Sequence, residues 1–117
     1  MNLSTKQQLF TLCVSKLIEH AYNLGYALTF GDAYRDPRVH GDHGVKKPGS
    51  YAAAKSVHKL RLAVDLNLFV DGQYITSSEH VAYKQLGEFW EGLDPDARWG
   101  GRFDDANHFS FEQWGCK

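Results

Sequence analysis

The sequence predicts an α+β fold in which a small antiparallel sheet has helices packed on it. Residues 4–24 and 78–91 place apolar side chains at helical spacing. Between these two segments, residues 63–70 alternate like a strand and lead into Asp71-Gly72, a dipeptide typical of tight hairpin turns. Near the end of the chain, His108 to Glu112 alternate again. Helices that stand apart from short, hairpin-linked strands are typical of α+β domains.

The first half of the chain supplies one helix, one strand and a long loop. Ser4 and Gln7 have the spacing of a capping box at the start of the helix, and Gly25 can end it. Tyr26–Phe30 then reads as a short strand. Residues 36–55 hold two prolines and three glycines, so they predict a surface loop. Loops of this length usually carry function. The sequence is compatible both with a lid that closes over a ligand and with a fixed surface loop.

The second half supplies a hairpin, a helix and a last strand. Gln73–Ile75 is the predicted return strand after Asp71-Gly72. The helix over 78–91 is predicted to turn four side chains inwards: Val81, Leu86, Phe89 and Trp90. Trp90, Trp99 and Trp114 all have apolar or glycine neighbours. We therefore expect all three tryptophans in the core.

Length and composition indicate a single domain over residues 1–117. Thirteen basic and fourteen acidic residues leave a net charge of −1, which argues against nucleic acid as the main ligand. The start lacks a signal peptide's pattern and no window reaches membrane-span length, so we expect synthesis in a bacterial cytoplasm without stable membrane association. Cys13 and Cys116 do not form a disulfide framework, and we expect a monomer in a reducing compartment.

A carboxylate and two histidines form the candidate site. Asp65 interrupts an apolar strand, where an ionised group is costly without a partner. Alternation places His108 on one face of the last strand, so pairing of the two strands would bring His108 beside Asp65. His58 lies seven positions before Asp65. In a continuous strand this odd separation would place His58 on the opposite face, so it must come from a preceding turn to reach the same point. A single histidine on a strand is nevertheless more often structural than a ligand.

Two imidazoles and one carboxylate are the ligand set of a catalytic zinc site, which leaves one position open. Zinc acidifies water and polarises a carbonyl, and a nearby carboxylate is then needed to move the proton. Asp105, three residues before His108, is the candidate for that role, with Asp104 as the weaker alternative.

Three motifs, Ser56-x-His58, Ala63-x-Asp65 and Asp105-x-x-His108, resemble the zinc peptidases of the M15 group. This group includes D-Ala-D-Ala carboxypeptidases and dipeptidases, and phage endolysins that cut the L-alanyl-D-glutamate bond of peptidoglycan. The resemblance runs from about Thr29 to Glu112, and the small size is most similar to the endolysin branch. It implies the M15 zinc peptidase fold, with a small antiparallel sheet and helices packed on it.

The resemblance also implies roles for single residues. His58, Asp65 and His108 would bind Zn²⁺, and Asp105 would be the general base. Tyr34-Arg35 matches the YR motif of the group, so Arg35 would hold the scissile carbonyl oxygen or a substrate carboxylate. Ser56 would orient substrate or support the metal site.

The implied activity is zinc-dependent, bacteriolytic cleavage of the peptidoglycan stem peptide by an endolysin that reaches the wall after membrane permeabilisation. The alternatives are a D-Ala-D-Ala carboxypeptidase and a non-catalytic, zinc-stabilised domain that binds the cell wall. One departure stands out, because Arg61 occupies a position where relatives often have glycine.

Three rival assignments remain for nearby residues. His40 and His43 form a competing histidine pair, which we expect to be exposed or at a substrate-facing rim. Glu112 is a candidate to accept a hydrogen bond from a metal-ligating histidine without binding the metal itself. It is equally compatible with an exposed strand residue. Lys46 and Lys47 are expected to be solvated rather than bound to an anionic polymer.

Overall fold

The computed structural model describes residues 1–50 and 52–117. Tyr51, which belongs to the predicted loop, lies outside the described residues. The described elements are α1 (Leu3–Asn23), β1 (Ala27–Phe30), α2 (Pro37–His40), β2 (Ala63–Val70), β3 (Gln73–Ile75), α3 (Val81–Glu91), β4 (Ala97–Trp99) and β5 (His108–Phe111). The predicted α+β class is confirmed, with five antiparallel strands and helices packed on the sheet.

Strand β2 is the centre of the sheet because both of its edges are paired. β1 lies along one edge, while the other edge is shared by β5, opposite Ala63–Asp65, and β3, opposite Leu68–Val70. β4 continues the sheet on the far side of β5. This arrangement places Asp65 at the end of the segment that β5 covers.

The core lies between one face of the sheet and helices α1 and α3. Trp90 of α3 is fully buried, and its ring meets Phe10 of α1 and Phe111 of β5, each at 5.6 Å between ring centroids. The Trp90 Nε1–H donates to the carbonyl of Ser110 at 3.1 Å. Burial of such large aromatic side chains holds the helices against the sheet. The opposite face of the sheet carries Asp65 and His108.

Several predicted details are wrong. The N-cap of α1 is Asn2, whose side chain accepts a hydrogen bond from Thr5 N at 2.8 Å, so Ser4 and Gln7 do not form the predicted capping box. Helix α3 begins after His80, whose Nδ1 accepts from Ala82 N and caps the helix. Val81 therefore stands at the first helical position and is exposed instead of packed inwards.

The ends of the long loop and of the chain also differ from the prediction. Residues 36–55 contain the short helix α2, which is capped by Asp36. Trp114 is 67% exposed and lies in a turn at φ +50°, so it is not part of the core, unlike Trp90 and Trp99. Among the described residues, no helix has both the length and the apolar content needed to cross a membrane.

Candidate metal centre

Asp65 and His108 face each other across the β2–β5 pair, as the alternation predicts. The register places them directly opposite, so both side chains leave the same side of the sheet. Val64 and Phe109 are the neighbouring opposite pair and point the other way, into the core. The strand that appeared apolar therefore has one buried apolar face and one polar face that carries the site.

His58 reaches the same point from a turn. It lies in a 3₁₀ helix, Val57–Leu60, that ends at Arg61 just before β2 begins. This bend overcomes the odd separation of His58 and Asp65 along the chain, so the predicted arrival from a preceding turn is confirmed. Ser56 caps the turn, and its Oγ accepts from His58 N at 3.2 Å.

One ligand atom from each of His58, Asp65 and His108 lies within 4.8 Å of the others. Asp65 Oδ1 is 3.2 Å from His58 Nε2 and 3.4 Å from His108 Nδ1. Tetrahedral zinc with metal–nitrogen distances of about 2.0–2.1 Å needs ligand atoms about 3.3–3.4 Å apart. The spacing of these atoms fits such an ion.

The hydrogen-bond pattern also fits a cation at this point. His58 Nδ1 lies 2.7 Å from the Ala33 carbonyl, which can only accept, so Nδ1 carries the proton. In the neutral ring, Nε2 then presents a lone pair towards Asp65 Oδ1. Asp65 Oδ1 itself is buried without a hydrogen-bond partner of good geometry in the described part of the chain. Two facing acceptors need a proton or a metal ion between them.

Electrostatics keep Asp65 ionised. Burial raises the pKa of its carboxyl, but in the metal-free protein hydrogen bonds and positive charge from His108 and His58, when these rings are protonated, outweigh burial and bring the pKa to about 2. The side chain is 17% exposed. Asp65 is therefore a carboxylate at any pH near neutrality, as a metal ligand must be.

Asp105 lies beside the cluster and is open to solvent. Its Oδ2 is 4.0 Å from His108 Nδ1, and its side chain is 55% exposed. This distance places Asp105 next to the ligand atoms without making it a member of the cluster. Asp104 is the less suitable neighbour, because among the described residues it forms no ion pair with His108, whereas Asp105 does.

Arg35 and Ser56 form a second group next to His58. Arg35 Nη1 donates to Ser56 Oγ at 2.9 Å, and Arg35 Nε approaches Asp32 Oδ2 at 3.4 Å. The Arg35 backbone N–H donates to the His58 carbonyl at 3.1 Å. Ser56 thus contacts both Arg35 and the turn of His58, and the side chain of Arg35 is only 15% exposed.

Arg61 has a backbone conformation that usually favours glycine. It stands at φ +56°, in the left-handed region that glycine adopts without strain, and its side chain is exposed. Its guanidinium lies 4.0 Å from the centre of the Tyr34 ring, which offers a cation–π contact.

The rival assignments are resolved differently from one another. His40 is buried and its Nδ1 contacts Ser50 Oγ at 2.5 Å, so the expectation of an exposed pair is wrong for this residue. Glu112 pairs with Arg98 at 3.5 Å rather than with a ligand histidine. Lys46 and Lys47 are exposed, as expected, and their ammonium groups also contact the backbone carbonyls of Ala52 and Arg38.

Two residues that shape the site were not identified from the sequence. The role of Ala33 has no sequence signal, because every residue has a backbone carbonyl. Gly100 does have a sequence signal, since it belongs to a Gly-Gly pair shortly before Asp104. A Cβ at Gly100 would lie 2.2 Å from the Asp105 carbonyl oxygen and 2.6 Å from His108 Cβ. Only glycine therefore allows the loop of Asp105 to pass so close to His108.

Comparison with known proteins adds one positive finding. Residues 50–111, which are 62 of the 117 residues, match the M15 peptidase family model described as D-alanyl-D-alanine carboxypeptidase. This segment contains His58, Asp65, Asp105 and His108. No curated protein sequence matches the chain.

Proposed function

Because the chain belongs to the M15 peptidase family described as D-alanyl-D-alanine carboxypeptidase, we propose that it is a zinc-dependent peptidoglycan hydrolase that cuts an amide bond of the stem peptide. The observation that carries the proposal is the convergence of His58 Nε2, Asp65 Oδ1 and His108 Nδ1 beside the exposed carboxylate of Asp105. A purely structural zinc site does not need that additional carboxylate.

In the proposed mechanism, His58, Asp65 and His108 would hold Zn²⁺, which when bound would be the Lewis acid for the scissile carbonyl and would lower the pKa of water. Asp105 Oδ2 accepts the proton of the attacking water and returns it to the departing amine. Arg35 donates to the developing oxyanion or to a substrate carboxylate, a role suited to its planar fork of donors. Ser56 holds Arg35 in place through the 2.9 Å hydrogen bond.

We further propose that the bond is internal to the stem peptide, as in L-alanyl-D-glutamate endopeptidases of the endolysin type. An exopeptidase needs a cation for the free carboxylate of its substrate. Four basic residues close to His58 in the sequence already contact protein groups. Lys46, Lys47 and Lys59 contact backbone carbonyls, and Arg61 lies over the Tyr34 ring. On this proposal Arg35 acts on the scissile carbonyl oxygen, and a terminal carboxylate would have to be met by Arg35 or by the exposed Lys55.

On this proposal the single domain acts as a monomer, in host cell lysis, once the membrane has been permeabilised. The D-Ala-D-Ala carboxypeptidase activity is the second candidate, because the matching family model carries that description. A non-catalytic zinc-stabilised domain that binds the wall is the third.

Mass spectrometry of purified peptidoglycan after incubation with the zinc-loaded protein distinguishes these candidates. We expect new D-glutamate amino termini that do not appear with a zinc chelator or with Asp105→Asn. Loss of terminal D-alanine would instead identify the carboxypeptidase. No new termini from protein with one zinc per chain would refute hydrolysis and leave the binding domain.

A further inference from the structure

Lys59, the residue after His58, is a buried lysine surrounded by backbone carbonyls. It is 6% exposed. Its Nζ lies 2.8 Å from the His40 carbonyl oxygen and 2.7 Å from that of Val45. The carbonyl oxygens of Asp42 and Ala54 follow at 3.5 Å each. In the described part of the chain, no carboxylate forms an ion pair with Lys59.

An ammonium group buried without a carboxylate is costly unless dipoles replace its water. Here the carbonyl oxygens do so, in the way that carbonyl oxygens replace the hydration shell of a monovalent ion. The four carbonyls come from residues spread between His40 and Ala54. One ammonium therefore ties both ends of this loop to the turn that carries His58.

The loop is connected to the proposed site at its Ala54 end. Gly44 N donates to the Ala54 carbonyl at 2.6 Å, which joins the middle of the loop to its end. Two residues after Ala54, Ser56 accepts from Arg35 and from His58 N. A displacement of Ala54 would therefore move the groups that hold Arg35.

We propose that Lys59 is a positioning residue that serves as a built-in monovalent cation. It holds His40, Asp42, Val45 and Ala54 against the His58 turn, and these residues form the wall of the substrate cleft beside Arg35. The part of this inference that concerns the cleft rests on the proposed function. The part that concerns the loop does not, because it can be tested without any substrate.

The test uses the full-length, zinc-loaded chain and trypsin, which can cut after the exposed Lys46 when the loop opens. Lys59→Met keeps the volume but removes the charge. We expect cleavage after Lys46 to become roughly tenfold faster or more, because hydrogen bonds to a charged donor are lost and local opening becomes easier. Zinc content should stay at one per chain, and KM should rise more than kcat falls.

Chemical rescue separates charge from packing. Lys59→Ala leaves space for propylammonium, which should restore resistance to trypsin, whereas 1-propanol of similar shape should not. Equal rescue by 1-propanol, or trypsin resistance of Lys59→Met equal to that of the unmodified chain, would overturn the proposal. If Lys59→Ala does not fold, Lys59→Met decides alone. If the unmodified chain hydrolyses nothing, the proposed function fails while the trypsin result still decides the role of Lys59.

Discussion

Asp65 and His108 lie directly opposite each other on antiparallel strands, with Asp65 Oδ1 3.4 Å from His108 Nδ1. The spacing of these two candidate ligands is therefore set by strand pairing, which is the most rigid relationship that the fold offers. His58 and Asp105 arrive from a turn and a loop, and their positions depend on hydrogen bonds and on close packing.

Asp105→Asn should lower kcat by about 10²–10⁴-fold, because the amide cannot accept the proton from water. Zinc content, measured by atomic emission, should stay at one per chain, because Asp105 stands beside the cluster rather than in it. Asp104→Asn is the matched control and should stay within a few-fold of the unmodified protein. Full activity of Asp105→Asn would remove this residue from the mechanism.

Metal-free protein should lose stability in acid through Asp65. Its pKa of about 2 lies below the ordinary 3.8, so its contribution is fully present above pH 3.8 and is lost as the pH falls through 2. That contribution is roughly 2 kcal/mol. Urea unfolding between pH 5 and pH 2 should show a steeper decline in the free energy of unfolding for the unmodified chain than for Asp65→Asn. Parallel curves would contradict the assignment.

Ser56→Ala should weaken catalysis while sparing the metal. It removes the hydroxyl that accepts from Arg35 at 2.9 Å, and a hydrogen bond to a charged group is worth about 1.5–3 kcal/mol. We therefore expect kcat/KM to fall roughly 10–100-fold. Ser15→Ala on the exposed side of α1 is the control. An unchanged kcat/KM would show that Arg35 does not depend on Ser56.

Gly100→Ala should disturb the site by displacing backbone. The added Cβ would meet the Asp105 carbonyl oxygen at 2.2 Å, and relief requires the loop or His108 to move. We expect a loss of about 1–3 kcal/mol in the free energy of unfolding and weaker zinc binding. Gly92→Ala, whose nearest neighbours would be at 3.6 Å, should change neither quantity appreciably. Normal zinc affinity in Gly100→Ala would mean that the loop has room to adjust.

Arg61→Gly should be more stable than Arg61→Ala. Both variants lose the contact with Tyr34, but only glycine relieves the left-handed backbone at φ +56°. The difference should be about 1 kcal/mol in thermal or urea unfolding. Equal stability of the two variants would show that the turn relaxes to accept a side chain.

The sequence predicted the candidate site better than its surroundings. Alternation in β2 and β5 placed Asp65 and His108 on matching faces, because a period of two leaves each strand only two choices of face. The errors fell where local patterns compete. Ser4 and Asn2 can both cap a helix, and the tertiary fold has Asn2 in that role. Trp114 has apolar neighbours in sequence, but its turn carries it away from the core.

By itself the sequence determined the α+β class, the two long helices, the hairpin at Asp71-Gly72 and the family to which the chain belongs, because these depend on local spacing and on motifs. It did not predict α2 or β4. Only the tertiary structure decided which nitrogen of His58 carries the proton and that Arg35 donates to Ser56. It also decided the close packing of Gly100 against Asp105 and His108, and the backbone carbonyls that surround the Lys59 ammonium. Three of these involve a backbone carbonyl of another residue, and the hydrogen bond from Arg35 to Ser56 joins two side chains that lie 21 positions apart in the chain. Backbone carbonyls and amides are common to nearly all residues, so the amino-acid sequence does not indicate which of them will come into contact.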